Sequence, residues 1–382
     1  MEKIPFWRDS RILSILAQII VVAVVIIIFI FLGNNLVNNF RRLGLSFGFN
    51  FLTRAASFDI ANPPFEFSPT DPYFKAILVG LINSLKVMFF GIILATILGI
   101  TVGIGRLSDN WLVRKLATIY VETLRNTPLL LQLFFWYFAV FLKLPRVEDS
   151  LNVGNIIFLS NRGLYIPWFV SNLQTIISFI LIISLIILAA FFWKRRIKVI
   201  EETGTSGNKL LYLLIACFLI AAIIFLFGIG WNIPQYNSDS VTGGTNLSPE
   251  FATLLIGLSI YTASFIAEVV RAGIQSVSKG QWEAAKALGL KSSLVMQLVI
   301  FPQALRVMIP PLTSEFLNLA KNSSLAIAIG YNDVYAISNT ISNQTGKAVE
   351  ILIVLVSIYL TINLIISLAM NWLNKSVQLK ER

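Results

Sequence analysis

Residues 12–32 read ILSILAQIIVVAVVIIIFIFL, a run of 21 residues without one charged side chain. The hydrocarbon core of a bilayer takes about 20 apolar residues in a helix, so this run predicts a membrane-crossing helix. It exceeds the apolar core of a secretory signal and continues into Gly33-Asn34-Asn35 rather than a small-residue cleavage site, so it is expected to be a retained anchor. Working outward, hydropathy predicts seven more spans at 76–105, 118–142, 173–193, 210–229, 251–270, 307–329 and 349–372. The second and third are counted although Lys86, Glu122 and Arg125 interrupt them, because intramembrane charge is tolerated at helix ends and inside bundles. The whole 382-residue chain is 56% hydrophobic and 13% charged, with a mean hydropathy of +0.78. The expected fold is an all-α integral membrane protein of about eight transmembrane helices.

Charge sets the orientation. The net charge of +11 would suggest nucleic acid in a soluble domain, but the basic residues flank the apolar runs. Lys3, Arg8 and Arg11 precede the first span. The same side then receives Arg106, Arg114 and Lys115, later Lys194, Arg195, Arg196, Lys198 and Lys209, then Arg271, Lys279, Lys286 and Lys291, and finally Lys375, Lys380 and Arg382. About 18 basic residues fall on that side against about 8 on the other, so both termini are expected in the cytoplasm. Trp7, Trp193, Trp231 and Trp372 stand near span ends, where an indole buries its ring and keeps its N–H wet. Lys86 and Arg306 are expected to snorkel to an interface.

The chain has no histidine, which excludes histidine relays and histidine-held metals, and the single Cys217 permits neither an internal disulfide nor a cysteine cluster. Cys217 is expected to face lipid or to pack. No phosphate-binding G-x-x-x-x-G-K-[ST] loop is present, so no nucleotide hydrolysis is expected of this chain. Neither a catalytic nucleophile nor a metal site is expected, and no internal repeat supports an inverted-repeat carrier. The outward stretches 34–73, 143–171, 231–250 and 331–347 are rich in Asn, Pro and Phe and are expected to be ordered periplasmic elements.

Between the sixth and seventh spans lies RAGIQSVSKGQWEAAKALGLK, residues 271–291. Ser278 followed by Gln281 fits a capping box, 281–288 are good helix formers, and Gly289 falls where a left-handed C-cap belongs. A short surface helix follows, with Ala284, Ala285 and Leu288 expected to form one shallow ridge.

Glu283-Ala284-Ala285, Gly289 six positions after the Glu, and the later Phe301-Pro302 resemble the EAA loop of ABC importer permeases. The resemblance implies a coupling helix that fits a groove on a separate ATPase subunit, with Glu283, Ala284, Ala285, Leu288 and Gly289 at the contact. The stretch from Tyr120 to Phe138 and the run Lys321-Asn322-Ser323-Ser324-Leu325 are similar to segments of the polar amino-acid importer branch. The usual subunit there has five spans, so the chain reads as a five-helix ABC importer core plus an N-terminal helix and a two-helix insertion, as in the general L-amino-acid permeases. The expected divisions are 1–75 (first helix and periplasmic segment), 76–142 (first part of the core), 143–250 (insertion) and 251–382 (second part of the core, with the coupling loop at 271–302).

The resemblance further implies a bacterial inner-membrane location and import of polar, acidic or neutral L-amino acids by alternating access. It implies ABC ATPase subunits that bind ATP and Mg, a related second permease forming a heterodimer, a periplasmic amino-acid-binding protein, surrounding lipid and no nucleic acid. No cofactor is expected on this chain itself.

Polar groups inside a bundle are unfavourable unless paired or hydrated. Arg125, Asn126, Thr127, Asn322, Ser323 and Ser324 are therefore candidates for the solute path, with helix breaks at Pro128 and Pro310-Pro311 freeing backbone groups to meet a zwitterion. Interhelical packing is the competing role for such residues. Glu122 with Arg125, and Glu268 with Arg271, repeat an E-x-x-R spacing near cytoplasmic helix ends and are candidate gate ion pairs. A gradient-driven carrier would instead call for carboxylates at mid-depth, where only Glu122 and Glu268 come close, and a non-transporting scaffold would have no use for a coupling loop.

Overall fold

The computed structural model describes residues 10–42, 44, 46–203, 207–237 and 240–377. Lys3, Trp7, Arg8, Lys380, Arg382 and both termini lie outside the described residues. Twelve α-helices are described: α1 (Ser10–Arg42), α2 (Tyr73–Gly105), α3 (Trp111–Arg125), α4 (Leu129–Phe134), α5 (Leu173–Thr203), α6 (Asn208–Ile223), α7 (Pro249–Gln275), α8 (Lys279–Ala287), α9 (Ser292–Val295), α10 (Phe301–Asn322), α11 (Val334–Thr345) and α12 (Ala348–Val377). Seven helical segments among the described residues are long and apolar enough to cross a membrane: Leu13–Arg42, Tyr73–Gly105, Leu173–Ile200, Asn208–Gly228, Pro249–Gln275, Ser292–Ile329 and Ala348–Val377. The chain is thus the expected helical membrane protein, and its remaining apolar segment is the shorter Leu129–Lys143.

That segment corrects the third expected span. Instead of one helix over 118–142, α3 stops at Arg125 and the chain turns through Asn126, Thr127 and Pro128. It resumes as α4, a π-helical turn at Phe135–Val140 and a 3-10 turn at Phe141–Lys143. The cause is Pro128, which lacks an N–H and drives the preceding residue out of the α region. The start of α3 is defined by Asn110, whose side chain accepts the Leu112 N–H at 2.9 Å.

Small residues build the centre. In α2, Gly91, Ala95, Gly99 and Gly103 recur every fourth position and let the backbone lie against α7. A Cβ on Gly99 would stand 2.5 Å from Ile266 Cγ2, and one on Gly103 would stand 2.8 Å from the Ala267 carbonyl oxygen. Close backbone approach of this kind replaces the hydrophobic drive that lipid removes. The cluster around this seam takes in Met88, Ala95, Ile266, Val270, Met308, Leu319 and Ile362, joining α2, α7, α10 and α12. A second cluster joins Phe51, Ile60, Tyr73 and Ala76 to Val334, Ile337 and Ile341 of α11.

Of the four stretches expected to face outward, 143–171 and 231–250 carry strands among their described residues, which the all-helical expectation did not specify. Strands β1 (Leu151–Val153), β2 (Ile157–Ser160), β3 (Gly163–Ile166) and β8 (Thr245–Leu247) form one antiparallel sheet in that order. Pairs β4 (Trp168–Phe169) with β5 (Trp231–Asn232), and β6 (Gln235–Asn237) with β7 (Ser240–Thr242), complete the platform. The hairpin of α5 and α6 rises from β4 and β5, with Cys217 buried between its helices rather than facing lipid. Trp231 donates its indole N–H to the Phe225 carbonyl at 3.0 Å, so this indole is held by the chain instead of by water.

Candidate functional site: the surface helix, the charged hub and the helix breaks

The loop after α7 folds as expected, with two local corrections. Helix α8 ends through Leu288, and Gly289 adopts φ +73° in open space. Gly289 is therefore required for its backbone angle, not for lack of room. The capping box does not form: Ser278 makes no side-chain cap, the Gln281 N–H goes to the Ser278 carbonyl at 3.0 Å, and the Gln281 side chain accepts from Gln303 Nε2 of α10 at 3.2 Å. The single ridge also divides. Ala285 is buried and packs toward Trp282, Leu290 and Val295, while Ala284 and Leu288 face out, Leu288 at 81% exposure. A step of 100° per residue explains it, since 284 and 288 share a stripe that 285 leaves. Glu283 is exposed beside them.

Toward the C-terminal end of α7, Glu268 gathers three arginines. Arg106, just past α2, donates Nη1 to Glu268 Oε2, and Arg271 donates Nε to the same oxygen at 3.3 Å. Arg125 Nη1 lies 3.9 Å from it. The Glu268–Arg271 pair expected from the sequence is present. The Glu122–Arg125 pair is not: Glu122 Oε1 lies 3.9 Å from Arg106 Nη2, and Arg125 leaves its own helix for Glu268 and for the ring of Phe265, 5.1 Å from its centroid. The guanidinium does better between a carboxylate and an aromatic face of α7 than along its own helix. Arg306 is corrected too, since its Nε donates to the Val377 carbonyl at 2.9 Å and fixes the end of α12 rather than snorkelling. Lys86 is exposed on α2.

The candidate path residues sit at two breaks. At the first, Asn126 Nδ2 donates to the Glu122 carbonyl at 2.7 Å and the Thr127 hydroxyl to the Thr123 carbonyl at 2.8 Å, finishing α3. Buried Gln132 reaches back, giving Nε2 to the Leu124 carbonyl at 2.9 Å and the Thr127 carbonyl at 3.0 Å. It satisfies carbonyls that Pro128 leaves without partners. At the second break α10 passes unbroken through Pro310-Pro311 and changes to a 3-10 turn at Ser323–Ile329. Ser323 is fully buried with its hydroxyl on the Ala320 carbonyl at 2.9 Å, and Ser324 donates to Lys321 at 2.8 Å. Asn322 is half-buried where the helix changes. The two breaks meet through apolar contacts, with Leu129 and Leu133 of the first packed in one cluster with Ala326 and Ile329 of the second. Arg125, Asn126 and Thr127 make no hydrogen bond to Asn322, Ser323 or Ser324 among the described residues.

Sequence reasoning missed three groups. Gln132 carries no motif beyond an amide four residues after a proline. Glu315 is a further carboxylate, within the Ser292–Ile329 span and nine residues from Arg306. Asp333 caps α11, its Oδ1 accepting the Ala336 N–H at 2.8 Å, while its Oδ2 is buried without a hydrogen-bond partner. Burial pushes its carboxyl up to about 7, against the pull of backbone donors. The loop that carries it is pinned to α2, where Ser84 Oγ accepts the Val334 N–H at 3.0 Å and Asn83 Nδ2 donates to the Asn332 carbonyl at 2.9 Å. Among the described residues no group of His, Cys, Asp and Glu is placed to hold a metal ion.

A helical membrane bundle, a short surface helix with Ala284 and Leu288 turned outward, and a charged hub behind it fit a membrane-embedded transport subunit. The chain belongs to the family of binding-protein-dependent transport system inner membrane components, the permease subunits of ABC importers, whose model matches residues 210–379. It is 42% identical over 378 residues to the General L-amino acid transport system permease protein AapQ of Rhizobium johnstonii, covering 98% of this chain and 94% of that one. It is 44% identical over 372 residues to the putative amino-acid ABC transporter permease protein YhdX of Escherichia coli strain K12, covering 96% and 94%. Identity to the glutamate/glutamine/aspartate/asparagine transport system permease protein BztB of Rhodobacter capsulatus is 40% over 410 residues, covering 98% and 96%.

Proposed function

We propose that this chain carries L-amino acids, polar, acidic or neutral, from the periplasm to the cytoplasm by alternating access, powered by ATP hydrolysis on a separate subunit. The observation that carries this reading is the extent of similarity: relatives named for amino-acid transport align over 94% to 96% of their own length, outer helices included. ABC ATPase subunits holding ATP and Mg would seat against α8 at Ala284 and Leu288, with Glu283 at the rim and Gly289 fixing the exit of the chain. A periplasmic amino-acid-binding protein would deliver the solute, and a related second permease would complete a heterodimer. The termini would both be cytoplasmic.

Force has a short route. Helix α7 runs into α8 through Ser276, Val277 and Ser278, and Glu268 lies less than three turns before that joint. A shift of α8 would therefore act on the contacts that tie α7 to Arg106 after α2 and to Arg125 after α3. Opening of this hub would part those elements at the cytoplasmic end, which is the gate role for Glu122, Glu268 and Arg271. The Arg125 to Pro128 break and the Asn322 to Ser324 turn would border the path, on either side of α4. In this reading 76–142 and 251–382 are the transporting core, 271–302 its coupling loop, and 1–75 and 143–250 additions to it.

The test is uptake of a labelled mixture of L-amino acids by proteoliposomes containing the chain, its co-purified partners and a binding protein. Accumulation that needs ATP is the expected result. Equal accumulation without ATP would replace this reading with a gradient-driven carrier.

A further inference from the structure

Helices α5 and α6 pack chiefly on each other and are little buried, so lipid surrounds the hairpin they form. At one end of it the Gly228 carbonyl accepts from Gln174 Nε2 at 3.1 Å and from Ser178 Oγ at 2.9 Å. At the other end a Cβ on Gly207 would stand 3.1 Å from Arg196 Cγ. The two helices therefore run antiparallel with Lys209, two positions after Gly207, level with Arg195 and Arg196. From Leu173 to Trp193 is 21 residues, about 31 Å of helix at 1.5 Å per residue, which fills a hydrocarbon core of roughly 30 Å. The remainder of α5, 194–203, projects past that core into the headgroup layer.

That projection carries Lys194, Arg195, Arg196 and Lys198, and α6 adds Lys209. Lys194, Arg195, Lys198 and Lys209 are exposed. Glu201 and Glu202 follow on α5, and Glu202 Oε1 lies 3.6 Å from Lys198 Nζ in an exposed pair that water screens. Two large aromatics stand at the base of the basic cluster and face outward, Trp193 at 53% exposure and Tyr212 at 68%. An indole and a phenol at one level beneath a ring of cations mark the depth where acyl chains give way to phosphates. The Arg195 guanidinium folds back over the Phe191 ring, 6.0 Å from its centroid, which holds its charge at that depth. Along α5 the exposed stripe Ile183, Ile187 and Phe191 runs on into Lys194 and Lys198 at helical spacing, apolar first and then basic. A phospholipid has the same order of parts.

We propose that the basic end of the α5–α6 hairpin is a binding site for the headgroup of an anionic phospholipid. The lipid phosphate takes charge-assisted hydrogen bonds from Lys194 and Lys198, its acyl chains lie along Ile187 and Ile183, and Arg195 and Lys209 extend the positive field that selects an anionic over a zwitterionic headgroup. The hairpin, which stands away from the core, thereby has its depth in the bilayer fixed by lipid.

The experiment titrates the detergent-purified complex of the chain and its partners with phosphatidylglycerol or phosphatidylcholine and counts retained lipids by native mass spectrometry. Wild type should take up its first phosphatidylglycerol at about tenfold lower concentration than its first phosphatidylcholine. Lys194→Gln with Lys198→Gln should lose about threefold of that preference, and adding Arg195→Gln and Lys209→Gln should remove it. Arg195→Lys combined with Lys194→Arg, Lys198→Arg and Lys209→Arg keeps the charge and should keep the preference. An undiminished preference in glutamine variants that melt as wild type does and co-purify with their partners would overturn the site. Inorganic phosphate added at constant ionic strength should leave lipid retention unchanged. Displacement of phosphatidylglycerol by it would make this a site for a soluble anion and overturn the assignment to lipid.

Discussion

Helices α2 and α7 and the hairpin of α5 and α6 are all apolar and all long, yet they behave as different materials. The hairpin and α1 are among the most apolar spans of the chain and the least buried, whereas α7 is less apolar and the most buried. In α7 the buried side chains include Thr253, Ser259, Thr262 and Ser264, together with Gly257 and Gly273. Small and weakly polar residues mark where helices must approach each other, and large aliphatic ones mark where a helix meets lipid. Hydropathy finds both kinds and ranks them in the wrong order of importance.

The comparison breaks most readily at its tightest point. Gly99→Leu would force a branched side chain into Ile266 where even a Cβ is too close. The expected loss is about 3 kcal/mol, seen as a collapse in the yield of monodisperse permease in detergent. A normal yield would mean that the seam between α2 and α7 has slack.

The opposite end of the core, around α11, gives a smaller, pH-dependent effect. Because the Asp333 carboxyl is raised to about 7 in the folded protein from an ordinary value of 3.8, the folded state holds the proton more tightly than the unfolded one. Stability from this group is present in full at low pH and is lost as pH rises toward and through 7. Tyr331, Tyr335 and Tyr359 lie beside it, and burial pushes the Tyr331 hydroxyl up, so that group stays neutral in that range. Asp333→Asn keeps the α11 cap and removes the titration, so between pH 5 and pH 8 its melting temperature should fall by several degrees less than that of wild type. Parallel melting curves for the two proteins would contradict the assignment.

The smallest effect is expected from the largest change. Val170 N–H donates to the Gly230 carbonyl at 2.8 Å and Phe169 pairs with Trp231, so the two ends of the hairpin are already side by side. Deleting 173–227 and joining the ends with a short turn should leave a permease that still co-purifies with its partners and retains ATP-dependent uptake within about threefold. Loss of assembly would show that the hairpin holds the complex and is not merely an addition to the core.

The sequence disclosed most where a residue type has one physical use. Gly289 was readable because a positive φ at a helix end leaves few alternatives, and the apolar runs were readable because nothing else in a chain is 20 residues long and uncharged. The capping pattern misled because it ignores rivals: the Ser278 carbonyl takes the Gln281 N–H and Gln303 takes the Gln281 side chain. The Arg125 partnership was hidden because local spacing pointed to Glu122, whereas Glu268 is 143 positions away and reaches it only through the packing of α3 on α7. Glu315 was masked by the aliphatic residues around it, and the strands of the platform are two to four residues long, too short for alternation to register. Gln132 was illegible because its task, answering the carbonyls left by Pro128, exists only once the break has formed.

The central claim is that force enters through the outward stripe of α8. Its most direct test replaces that stripe, Ala284→Asp with Leu288→Asp, two exposed positions at which acidic side chains are accommodated without steric conflict. ATP-dependent amino-acid uptake is then measured in proteoliposomes beside wild type, after confirming by melting temperature that the permease is folded. The account expects uptake to fall at least tenfold in a folded protein, with release of the ATPase on gel filtration. Wild-type uptake with the ATPase still bound would place the coupling contact elsewhere and contradict the account.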